Sequence, residues 1–167
     1  MFELKPLNPE AIPKALQKAE RYRLLNEPEE AESICLDILA VAPDNPKALI
    51  TLLLALTDQF GTDHDGQCHA RARELLSRLP GDYERSYYAG IICERRARAT
   101  LDRGRPGAGA AAYNLLRQAM DWYERAAALR PPGNDDAHLR WNSCVRSLQK
   151  HHLAPSGEEK PEPVLLE

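Results

Sequence analysis

Aromatic residues are scarce in this 167-residue chain, at 6%, with only two Phe and two Trp. A sheet-rich fold draws on aromatic and β-branched side chains, so this shortage argues against one. Cysteine is equally sparse. Cys35, Cys68, Cys93 and Cys144 form no C-x-x-C pair, and each sits in or beside a helical pattern. Buried or half-buried free thiols of a reducing, cytoplasmic protein are expected rather than a disulfide or zinc framework. No long hydrophobic run exists. The most apolar stretch, Ala48 to Leu56, is interrupted by Thr51 and falls far short of the roughly 20 residues that span a bilayer. It reads as a buried core helix, and no membrane partner is expected. Met1-Phe2-Glu3-Leu4-Lys5-Pro6 lacks a basic start followed by an apolar run, so no signal peptide is expected. Charge of one sign is also missing. A net charge of −3 gives no electrostatic footprint for nucleic acid.

Catalytic signatures are absent too. No serine or cysteine carries a local nucleophile motif, and no glycine-rich phosphate loop follows a strand. His64, Asp65, Cys68 and His69 include metal-binding residue types, but their spacing matches no zinc pattern. They read as loop chemistry without a metal. The expectation is a non-enzyme with no cofactor.

What the chain does have is alanine, leucine and arginine, which lose little freedom in a helix. Hydrophobic content of 43% and charged content of 28% suit a folded domain with a real core. Punctuation is frequent. Asn8-Pro9, Glu27-Pro28 and Asn45-Pro46 each begin a segment with a proline in the first turn. Pro13 can move the first start by a turn. Apolar residues then recur at helical spacing: Ile12, Ala15, Leu16, Ala19 and Tyr22, then Ala31, Ile34, Cys35, Ile38 and Leu39. Seven helices are predicted, with the third, Pro46 to Gln59, apolar on nearly all sides and so flanked on two faces. Asp82 is read as the cap of the fifth helix, which reaches about Leu101. Arg103 to Gly109 breaks it from the sixth, about Ala110 to Arg130. A seventh follows Asn134, from about Asp135 to His152.

One pattern repeats. Ala119, Tyr123, Ala126 and Pro131 share spacings of four, three and five with Ala31, Cys35, Ile38 and Pro43. Both stretches resemble the second helix of the tetratricopeptide repeat family, including the closing proline. Ala19 and Tyr22 upstream of the first stretch, and Gly90 upstream of the other, also match. Leu49, Leu52, Leu53 and Leu56 with Ala72, Leu76 and Leu79 form a weaker middle repeat that lacks the proline. The chain thus resembles a small, bacterial-type member of that family. The resemblance implies an all-α, right-handed α-α superhelix of three hairpins, about 12–45, 46–82 and 83–133, with a capping helix at 135–152. Together 1–152 would be one domain, followed by an acidic flexible tail at 153–167 that ends near Val164-Leu165-Leu166. Measured against Ala19 to Ala31, the interval Leu53 to Ala72 is longer by about seven residues and Gly90 to Ala119 by about seventeen. The second insertion is read as an Arg-rich helical hairpin protruding from the stack, its Glu94 pairing with Arg98 one turn on.

In this family the first helix of each hairpin lines a concave face. The resemblance places Glu20 and Arg23 there from repeat one, and Ile50 and Leu54 from repeat two. Tyr87, Ile91, Glu94 and Arg95 would come from repeat three, and His138 and Asn142 from the capping helix. An apolar centre with charged ends suits a peptide or partner helix with apolar anchors. Chaperone-binding members hold a partner's terminal carboxylate with lysines and asparagines. The matching places here hold Leu16, Glu20, Ile50 and Leu54, so that ligand is not expected. The implied function is a protein-interaction adaptor, scaffold or assembly factor. The alternative is a homo-oligomeric scaffold that self-associates through the third hairpin or the tail.

Overall fold

A computed structural model describes residues 1–157. The proposed tail anchor Val164-Leu165-Leu166 lies outside the described residues. Those residues form seven α-helices and no strand. The helices are α1 (Ile12–Leu24), α2 (Pro28–Val41), α3 (Pro46–Asp58), α4 (Gln67–Leu75), α5 (Asp82–Arg103), α6 (Ala108–Leu129) and α7 (Asp136–Lys150). None of them is long and apolar enough to cross a membrane.

The helix starts follow the proline signals. Asn8 Oδ1 accepts from Glu10 N at 3.0 Å over a short 3₁₀ turn, and α1 then begins at Ile12, where Pro13 fits the first turn. Asn45 Oδ1 accepts from Ala48 N at 3.0 Å and caps α3. Asp82 does not cap α5. Gly81 takes the cap position without a side-chain bond, and Asp82 pairs instead with Arg85 at 2.6 Å. Two helix ends carry a left-handed residue that is not glycine, Asn26 and His152. After each, the chain closes a Schellman motif: Glu27 N donates to Tyr22 O, and Leu153 N to Leu148 O. His152 is therefore a helix stop by backbone geometry.

Each even-numbered helix packs against the odd-numbered helices before and after it, and α1 meets α3 as α3 meets α5. Helices α1, α3 and α5 thus form one row, with the even helices packed against it. Eight residues of α3 are buried, as its apolar circumference predicts. Small residues set the closest approaches. Ala19, Ala31, Ala119 and Ala126 are fully buried. At Gly90, an added Cβ would lie 2.5 Å from the ring of Tyr123.

Two hydrophobic cores result. The first joins α1 to α4 with Ile92 and Ala99 of α5; the second joins Ile91 and Ala97 of α5 with α6 and α7. Helix α5 serves both, and Leu54 and Tyr88 touch both.

The long hairpin of α5 and α6 is held more closely than the sequence reading supposed. Its turn at Gly104–Gly107 is exposed. Below the turn, Arg103 Nη2 donates to the carbonyls of Phe60 and Asp63, at 2.7 and 3.0 Å. On the other side Leu153 lies 3.7 Å from where a Cβ on Gly109 would sit. The arms are flanked by the α3–α4 loop, through the Arg103 guanidinium, and by the end of α7, through Leu153.

Candidate functional site

The row of odd-numbered helices carries the predicted face, and charge ties it together. Asp58 near the end of α3 accepts from Arg23 of α1 through both oxygens, at 2.7 and 3.2 Å. Arg95 of α5 reaches the same carboxylate at 3.4 Å. All three side chains are largely buried, Asp58 at 17% exposure. Arg23 and Arg95 were expected as parts of charged ends; they meet on one carboxylate instead. A two-pronged guanidinium fork gives the pair direction as well as attraction. Burial pulls the pKa of Arg95 below its ordinary value, and the Asp58 charge partly offsets this.

The next link joins α5 to α7. Glu94 is only 6% exposed. Its Oε2 accepts from the Tyr123 hydroxyl at 2.6 Å and lies 3.3 Å from Arg140 Nε. The expected Glu94–Arg98 pair does not form. Alanine and glycine spacing lets α6 and α7 close over Glu94, and a carboxylate taken out of water needs its partners inside. Burial and then the Glu94 charge raise the Tyr123 pKa far above its usual value, so Tyr123 is the proton donor of this contact. Burial, the largest single influence, would lower the pKa of Arg140, but Glu94, Tyr123 and Tyr87 together outweigh it and the net direction is up.

Between these links lies an aromatic cluster. The Tyr87 ring stacks on Tyr83 at 5.9 Å, meets Tyr88 edge-on at 5.0 Å and tilts against Tyr123 at 5.9 Å. Burial, opposed by Arg140, pushes the Tyr87 hydroxyl up to about 12. Ile50 and Leu54 are half-buried at the edge of the cores. Ile91 is 3% exposed and belongs to the second core, so it backs the face and does not line it.

On α7, His138 and Asn142 lie apart from the flank that meets α5. His138 is half exposed, pairs with Asp135 at 3.5 Å, and borders a hollow with Glu124 and Ala127 of α6. Asn142 is exposed. The flank of α7 that meets α5 holds Arg140, Ser143 and Ser147 instead. There the row continues as a cleft of about 420 Å³, with Arg98, Arg146 and Lys150 around Leu101 and Leu116. Arg98 follows Tyr87 by three turns on the same stripe of α5.

The motif His64 to His69 serves loop closure. Asp63 Oδ1 and Oδ2 accept from the backbone N–H groups of Gln67 and His69, at 3.0 and 3.2 Å, and so start α4.

Asp58, Tyr88, Tyr123 and Arg140 were not among the predicted site residues. Asp58 ends an apolar helix, and Arg140 is far along the chain from Glu94, so no local pattern marks either. No protein-family model matches the chain, and neither the curated proteins nor the solved structures give a match.

Proposed function

We propose that this chain is a protein-interaction module without catalytic activity, built as a tetratricopeptide-like right-handed superhelix of three hairpins and a capping helix. A peptide or helix of a partner protein lies along the row formed by α1, α3, α5 and α7. The observation that carries this reading is the cross-linked row itself. Arg23–Asp58–Arg95 and Glu94–Arg140 fix four helices side by side, and half-buried Leu54 and Tyr87 stand between the links. A rigid surface with aromatic and aliphatic anchors binds at low ordering cost, because little of it must be immobilised.

The experiment is affinity capture of partners from the source cells, by wild type and by Leu54→Ala with Tyr87→Ala. The double variant is expected to lose its specific partner while keeping its helical content by circular dichroism. Undiminished capture by a folded double variant would sink the reading.

A further inference from the structure

The even-numbered helices carry an opening of their own. Helix α4 is 9 residues long and gives way to a 3₁₀ turn, while α5 and α6 run 22 residues each. Between α4 and α6 lies a hollow of about 310 Å³ floored by α5. Its floor carries apolar Ala89 and Ile92, and α6 supplies a wall of Leu115, Gln118 and Trp122. Its rim is cationic. Arg73 of α4 and Arg96 of α5 are both exposed, and neither has an ion-pair partner among the described residues. His69 and Arg96 also border a second hollow of about 200 Å³ that runs on to Arg103.

Across both hollows the only lining carboxylate among the described residues is Asp63, and both its oxygens already accept backbone N–H groups. The larger hollow is therefore an apolar strip beside arginines that have no ion-pair partner among the described residues, and the smaller hollow extends it with a polar lining. We propose that this trough docks an acidic amphipathic helix of a partner protein, apolar side chains on α5 and carboxylates on Arg73 and Arg96.

Three observations select this occupant. Planar guanidinium forks match carboxylates, and an apolar floor between them asks for a ligand with both characters. A phosphate site would offer converging main-chain N–H groups. Here the lining of the larger hollow is helical or 3₁₀, and Asp63 already occupies the start of α4. From Ala89 to Arg103 the floor runs roughly 21 Å at 1.5 Å per residue, which accommodates about four turns of a helix. His69 adds little charge at neutral pH, because burial and then Arg96 and Arg73 lower its pKa.

The test uses the full chain and a fluorescein-labelled 14-residue helical peptide of leucine and glutamate, followed by anisotropy. Its lysine-for-glutamate counterpart is the control. The glutamate peptide is expected to bind and the lysine peptide not. Arg73→Glu with Arg96→Glu should weaken binding at least tenfold, and added salt should weaken it in wild type. Leu54→Ala with Tyr87→Ala should leave it unchanged, which separates this trough from the odd-helix row. Bound peptide should also slow alkylation of half-buried Cys93, which lines the hollow, read by peptide mass. Both arginines are exposed, so the charge-reversed variant should keep its urea midpoint. The proposal is overturned by no binding, by equal binding of the lysine peptide, or by undiminished binding in the charge-reversed variant. Wild-type self-association that Arg73→Glu abolishes would overturn it in favour of a second copy.

Discussion

Tyr123 of α6 ties together Gly90, Tyr87 and Glu94 of α5. It is fully buried, presses its ring into the gap left by Gly90, and donates its hydroxyl to the equally buried Glu94. Removing the donor leaves the carboxylate with Arg140 alone. Tyr123→Phe should therefore cost about 1–3 kcal/mol, the range for an unsatisfied buried polar group. Glu94→Ala should cost about 3–5 kcal/mol, because it strands Arg140 as well. Gly90→Ala drives a methyl into a ring that its own hydrogen bond holds in place, at about 1–3 kcal/mol. Urea unfolding monitored by circular dichroism ranks the three. A Tyr123→Phe midpoint equal to wild type would mean that the Glu94 contact contributes nothing. The same scale sets the alkaline limit. Burial raises Cys35 and Cys144 from 9.0 to about 12, and Tyr87 from 10.0 to about 12. Each group keeps its proton more tightly folded than unfolded, so the stability it contributes is full below pH 9 and is lost as pH rises toward 12. The urea midpoint should fall across that window, and a midpoint flat to pH 12 would contradict the burial of these groups.

At the scale of the element, the caps and anchors act locally. Asn45→Ala removes the side-chain cap of α3 and should cost about 1 kcal/mol. Arg103→Ala frees the carbonyls of Phe60 and Asp63, and its expected signature is faster hydrogen exchange in residues 61–66 with little change elsewhere. Unchanged exchange there would mean that the hairpin is not braced by this loop. Elements of this kind were legible in the sequence to different degrees. Pro28 and Pro46 mark helix starts to the residue, because a fixed φ and a missing N–H are local facts. Ala31, Ala119 and Gly90 announce close contacts, because only small residues fit there. Glu94 was legible as a residue of the concave face and as a partner for Arg98, but not as a buried carboxylate. Its burial depends on Tyr123, 29 residues on, and on α7 closing over both. The flank of α7 that meets α5 was illegible for a related reason. Periodicity identifies the buried stripe of Trp141, Cys144 and Leu148, but the flank that turns to α5 is chosen by the charge waiting there.

For the whole molecule, the decisive feature is that α5 belongs to two cores at once. Ile92 and Ala99 face the first, Ile91 and Ala97 the second, and Leu54 and Tyr88 touch both. In stacked helical hairpins each unit contacts mainly its neighbours, so cooperativity rests on the junctions between them. Here the junction consists of Tyr88, Leu54, and Asp58 with its two arginines. Both tryptophans, Trp122 and Trp141, lie in α6 and α7, so fluorescence reports those two helices while circular dichroism reports every helix. In wild type the two unfolding curves should coincide, because a single transition needs only a junction stronger than the difference between the two halves. Tyr88→Ala removes the shared ring, and Asp58→Ala leaves Arg23 and Arg95 facing one another without a counter-charge. With both changes, the two curves should separate in urea, and the order of their midpoints identifies the stronger half. Coincident curves in that variant would mean that α5 alone couples the cores, through its own backbone.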